Sequence, residues 1–136
     1  MKFRLVLFLA VIFLNLKLNY GSSFLSTWDT TQTVGVISDS YSIQLGLKNG
    51  GTYDFWVEWG DASSDHITIW NQAETTHTYS AEGTYSVNIT GTIQSWSMLN
   101  GDAGKLLDIT QWGCLDIYGA TSAFEGPLVY IHAHIP

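Results

Sequence analysis

A single cysteine is present in the whole sequence. No intrachain disulfide can staple the fold, and Cys114 reads either as a buried apolar filler or as a thiol that pairs between chains. Basic residues are also scarce, with five Lys and Arg against twelve Asp and Glu and a formal net charge of −7. A field of that sign repels phosphate backbones and supplies no basic stripe to follow one, which excludes nucleic acid as a partner and disfavours anionic membrane surfaces. No apolar run approaches the roughly 20 residues that a membrane-spanning helix needs, so no stable transmembrane helix is expected. Persuasive helical periodicity is missing after the first residues. No Ser, His and Asp sit in the strand-turn-helix setting of a hydrolase elbow, and no phosphate-cradling glycine loop opens a helix.

What is present begins with a short leader. Lys2 and Arg4 precede the apolar residues 5–14, the order of a secretory signal, and Gly21 and Ser23 are small enough to allow cleavage after Ser23. Residues 1–23 are therefore expected to be a signal peptide, and the remainder to be secreted or held at the cell surface. A lipid-anchored signal is not supported, because no cysteine lies near residue 20. Loss of the leader would leave Lys48 and Lys105 against twelve acids, a net charge of −10. The remaining chain of about 113 residues can bury roughly two-thirds of its unfolded surface, enough for a core without disulfide or metal.

The rest of the chain is patterned for strands. Residues 53–59 alternate, with Tyr53, Phe55, Val57 and Trp59 on one face and Asp54, Trp56 and Glu58 on the other. Gly60-Asp61-Ala62-Ser63-Ser64 has hairpin chemistry, since glycine tolerates positive φ and an Asp carboxylate bonds the amides just ahead of it. The chain is expected to return along residues 66–70, placing His66, Thr68 and Trp70 outward. Gly83 opens a further strand with Tyr85, Val87 and Ile89 inward. Residues 24–28 predict the first strand, with 34–37 as a short continuation, and 41–47 alternate as a half-buried strand. Asn49-Gly50-Gly51 is a turn. Gly91 is expected to bend the chain into a last strand over 92–98, and Asn100-Gly101-Asp102 to turn it again. About seven strands at this spacing predict an all-β, antiparallel β-sandwich over residues 24–104.

Trp59-Gly60-Asp61, then His77-Thr78-Tyr79, then Gly83-Thr84-Tyr85-Ser86-Val87 resembles the W-G-D-G, H-T-Y and G-x-Y-x-V signature of PKD domains. The resemblance covers roughly residues 41–91 and implies an Ig-like sandwich of the kind found on cell surfaces, with Ala62 standing where the family pattern has Gly. Ser26-Thr27-Trp28-Asp29-Thr30, Trp70-Asn71-Gln72-Ala73-Glu74 and residues 105–113 are similar to the N-terminal region of BspA-like leucine-rich-repeat surface proteins. There a PKD-like module precedes the repeats. Residues 105–136 fit the start of a degenerate repeat segment. Leu107-Asp108-Ile109 recurs as Leu115-Asp116-Ile117, and Phe124-Glu125-Gly126 with Leu128 resembles a repeat opening in which Pro127 replaces a cysteine.

Candidate sites follow from these placements. Trp56 between Asp54 and Glu58 presents an indole that can stack on a sugar, with carboxylates to accept its hydroxyls, unless the ring is simply covered by a loop or a neighbouring module. Trp70 would extend that platform. The two carboxylates do not form a glycosidase pair, because four strand residues separate them by roughly 13 Å where about 5–9.5 Å is needed. Asp61 and Asp65 carry oxygens at alternating positions as calcium loops do, but without the further acidic ligand such loops use. His132 and His134 share a strand face, and two ligands do not make a metal site. His77 reads as a structural hydrogen-bonding residue, and Tyr79 as a tyrosine corner tying a loop to a strand. Asn88-Ile89-Thr90 is a glycosylation sequon at an outward position. The expected function is that of a non-enzymatic exported module without a cofactor, which spaces, displays or adheres to an extracellular protein or glycan. A carbohydrate-binding module using Trp56 and Trp70 is the alternative. A small secreted hydrolase pairing Asp61 or Asp65 with Glu74 is a remote one.

Overall fold

Strict alternation of apolar and polar side chains builds the strand at the middle of the chain. In a computed structural model that describes residues 23–113 and the backbone of Leu115–Asp116, this strand is β3 (Tyr53–Glu58). Tyr53, Phe55 and Val57 are buried, and Asp54, Trp56 and Glu58 are exposed. The others are β1 (Ser23–Asp29), β2 (Ser42–Gln44), β4 (Ser64–Ile67), β5 (Thr76–Thr78), β6 (Thr84–Gln94), β7 (Leu106–Trp112) and β8 (Leu115–Asp116). Three short 3-10 turns, Ala73–Thr75, Met98–Asn100 and Ala103–Lys105, are the only helical pieces among the described residues. No helix there is long and apolar enough to cross a membrane.

The main sheet has the order β4-β3-β6-β1-β7, every neighbour antiparallel, with β8 added in parallel to the end of β6. β2 and β5 form a second, two-stranded sheet. The buried face of the main sheet carries Phe24, Trp28, Phe55, Val57, Val87 and Ile89, and these share one core with Ile43, Leu45, Tyr79 and Trp96. Each large apolar side chain buried this way contributes about 1.5–3 kcal/mol. Three indoles are fully buried, and each N–H is satisfied: Trp28 donates to Ser26 Oγ at 2.8 Å, Trp59 to Asp65 Oδ2 at 2.8 Å and Trp96 to Met98 Sδ at 3.0 Å. The fold is all-β and sandwich-like, as the sequence pattern predicts at that level.

Several boundaries fall elsewhere than expected. Gly91 does not bend the chain into a new strand; β6 runs straight through it to Gln94, pairing Gly91 with Phe55. With φ at 123° and a would-be Cβ 2.4 Å from Asp54 O, Gly91 is there to let β3 approach closely. The turn comes instead at Ser95, whose φ is 75°, after which Trp96 makes an isolated bridge to Leu47. The alternating stretch 41–47 yields only the three residues of β2, because both of its faces are covered: Ser42 Oγ meets Thr78 Oγ1 at 2.8 Å, and Gly46 lies under Ser97. Residues 34–37 form a loop rather than a strand, with Val34 and Ile37 exposed. β4 stops at Ile67, so Trp70 is not on a strand beside His66. β1 begins at Ser23, one residue inside the expected leader, where Ser23 O accepts Gly113 N at 3.1 Å. The start of the expected repeat segment, β7, is hydrogen-bonded along β1 and puts Leu106 and Ile109 into the core. Residues 1–22 of the expected leader, Cys114, the repeat-like residues from 117 onward, and His132 and His134 lie outside the described residues.

Candidate functional site

The signature residues converge at the turn end of the β3-β4 hairpin. The chain turns there because Gly60 and Ala62 both take left-handed backbone, with φ of 86° and 71°. Ala62 thus holds, as an alanine, a left-handed conformation that glycine adopts more easily. Asp61 Oδ1 accepts Ser63 N at 3.0 Å and Ser63 Oγ at 2.5 Å, which closes the turn. Asp61 Oδ2 lies 2.9 Å from His77 Nε2, carrying the hairpin across to β5.

His77 sits in a column of rings. It stacks on Trp59 with centroids 4.8 Å apart and meets Tyr79 edge-on at 4.6 Å, while Tyr79 stacks on Tyr85 at 3.6 Å. Tyr79 Oη donates to Trp59 O at 2.9 Å, so the hydroxyl ties the residue just past β3 to the residue just past β5, and Tyr85 Oη donates to Ala81 O at 2.8 Å. Gly83 receives the neighbouring loop: Thr30 Oγ1 donates to Gly83 O, and Gly83 N donates to Thr30 Oγ1 at 2.9 Å. Partial burial opposes ionisation of Asp61, but the hydrogen bonds from Ser63 and His77 outweigh it and hold the carboxyl at about 2. Burial, with Asp61 nearby, pushes the Tyr79 phenol upward, away from ionisation. Trp59, Gly60, Asp61, His77, Tyr79, Gly83 and Tyr85 are thus engaged in holding one another.

The outward face of β3 keeps the predicted order. Trp56 is 53% exposed and stacks on His66 of β4 at 4.8 Å and 13°. Its flanking acids bind different neighbours: Asp54 Oδ1 is 2.8 Å from His66 Nε2, and Glu58 Oε2 accepts Asn88 Nδ2 at 2.8 Å. Around them the same face shows Ser64, Thr90 and Thr92, paired in register with β3. Trp70 is not part of this platform. It stands in the turn after β4 and lines a groove on the side of the two-stranded sheet, with Leu45 and Leu47 in its floor.

That groove, of about 720 Å³, was not legible as a site from the sequence. A second feature was also missed. Asp102 and Lys105 are fully buried, with Lys105 Nζ 3.6 Å from Asp102 Oδ2. Asp102 accepts Ile37 N at 2.5 Å, Ser38 N at 2.9 Å and Gln44 N at 2.7 Å, and Lys105 Nζ donates to Ser38 Oγ and Ser42 O, each at 2.8 Å, and to Asp39 O. The pair locks the loop between β1 and β2 onto the turn before β7. The one available signal was a basic residue three positions after an acidic one, among small and apolar neighbours, with Lys48 as the only other Lys or Arg among the described residues.

Asp61 and Asp65, the weak calcium candidates, point to separate partners, His77 and the Trp59 indole. Among the described residues no three His, Cys, Asp or Glu side chains converge as a metal site would require. No family model matches the chain, and neither a curated protein nor a solved structure matches it.

Proposed function

We propose that this chain is a non-enzymatic exported module, a PKD-like, Ig-type sandwich that displays a rigid face to an extracellular protein or glycan. One observation carries the reading. The chemically capable residues of the signature are tied to one another in the Trp59, Asp61, His77 and Tyr79 cluster, while Trp56 stands 53% exposed on a flat, hydrogen-bonded strand face. A cluster of that kind fixes a hairpin. An exposed indole braced by His66 and flanked by Asp54 and Glu58 presents apolar area with polar edges already oriented, so little ordering entropy is lost on contact. The leader-like N-terminus supports export, and the likeness to the head of BspA-like surface proteins, with a repeat-like segment from residue 105 onward, supports a place at the cell surface.

The test is adhesion of beads coated with the protein to surfaces carrying extracellular-matrix proteins or glycans. Trp56→Ala is expected to abolish retention without unfolding the domain. Equal retention of the variant and the parent would refute the role of this face.

A further inference from the structure

We infer that the groove beside the two-stranded sheet is a binding site for a neutral oligosaccharide, anchored by Trp70 and separate from the Trp56 face. Its volume of about 720 Å³ falls in the roughly 300–1,000 Å³ range of small-ligand sites. What distinguishes it is its chemistry. Every polar side chain on its wall is an amide or a hydroxyl, and among the described residues no acidic or basic side chain contributes. A phosphate, a sulfated sugar or a charged peptide would enter without a countercharge and lose its hydration. A neutral sugar has no such cost.

The walls also match a sugar in detail. Trp70, 38% exposed, and Leu99, 55% exposed, supply an open apolar surface of the type that stacks on the C–H face of a pyranose ring. Asn49 and Asn71 are exposed on the rim, and among the described residues neither side chain is hydrogen-bonded to another. Each amide offers both a donor and an acceptor, which is what a hydroxyl needs. Other amides hold the walls still. Gln72 accepts Thr68 N at 3.1 Å and donates to His66 O at 2.7 Å, fixing the turn that carries Trp70. Asn100 donates to Leu47 O at 3.2 Å, fixing the opposite wall. The ring and the rim amides therefore stand on a preorganised frame.

The experiment is a titration of the protein with cellohexaose, laminarihexaose and chitohexaose, followed by tryptophan fluorescence and calorimetry. Saturable binding of at least one is expected. Trp70→Ala should weaken it by about tenfold or more, as loss of an aromatic anchor does, while Glu82→Gln, at an exposed position outside the groove, leaves it unchanged. Should Trp70→Ala lose its cooperative melt, the rim variant Asn49→Ala with Asn71→Ala takes its place and is expected to weaken binding too. The inference is overturned if none of the three sugars saturates at millimolar concentration, if both groove variants bind like the parent, or if Trp56→Ala alone removes binding.

Discussion

Asp61 carries more of the hairpin than any other single side chain. Its carboxylate accepts from Ser63 on its own turn and from His77 on another strand, and these bonds keep the folded-state pKa at about 2, below the ordinary 3.8. A depressed carboxyl stabilises the fold above its unfolded pKa and loses that contribution as pH falls through the folded value. The melting temperature should therefore drop between about pH 4 and pH 2. In Asp61→Asn it should be lower at neutral pH and flatter across that window; calorimetric melts of both proteins from pH 7 to pH 2 measure the difference. Tyr79→Phe removes the donor to Trp59 O and leaves a buried carbonyl unpaired, an expected loss of about 1–2 kcal/mol in urea unfolding. Ala62→Gly runs the other way. It relieves a left-handed alanine at φ 71°, and after the entropy of glycine is subtracted a gain of roughly 0.5 kcal/mol is expected in the same assay.

At the scale of elements, β6 is the axis of the sheet, pairing β3 on one side and β1 on the other. Its continuity depends on Gly91, because an alanine there would place Cβ 2.4 Å from Asp54 O. Gly91→Ala is expected to cost about 2 kcal/mol or more and to weaken amide-exchange protection on β3 and β6 together, whereas a simple bend at Gly91 would leave β3 untouched. The sequence pattern placed β1, β3 and most of β6 well, because each has one buried face and strict alternation. It failed at β2 and β4 for a physical reason. Around β2, Ser42 and Gly46 are covered by contacts from distant segments, Thr78 and Ser97, which no local period encodes, and after β4 the Gln72 side chain bonds Thr68 N and His66 O and turns the chain. Gly91 misled for a related reason. A glycine needed for close approach and one needed for a turn look alike in sequence.

For the molecule as a whole, two devices hold the layers: the aromatic and Asp61 cluster at one end, and the buried Asp102–Lys105 pair under the loop between β1 and β2. Removing one partner of a fully buried pair strands the other charge, so Lys105→Met is expected to lose about 3–5 kcal/mol in urea unfolding. The residues of the first device stand out in the sequence as three short motifs, and the fold brings them into contact. The pair and the groove do not stand out, since each is assembled from loops that only the tertiary fold brings together. With the framework residues engaged in these ways, the proposed recognition falls to exposed side chains such as Trp56. The most direct test is to measure melting temperature and bead adhesion side by side for Asp61→Asn and Trp56→Ala. Asp61→Asn is expected to melt lower yet adhere normally below its transition, and Trp56→Ala to melt within a few degrees of the parent but no longer adhere. Adhesion lost in Asp61→Asn while it remains folded, with Trp56→Ala adhering normally, would contradict this and place function in the cluster itself.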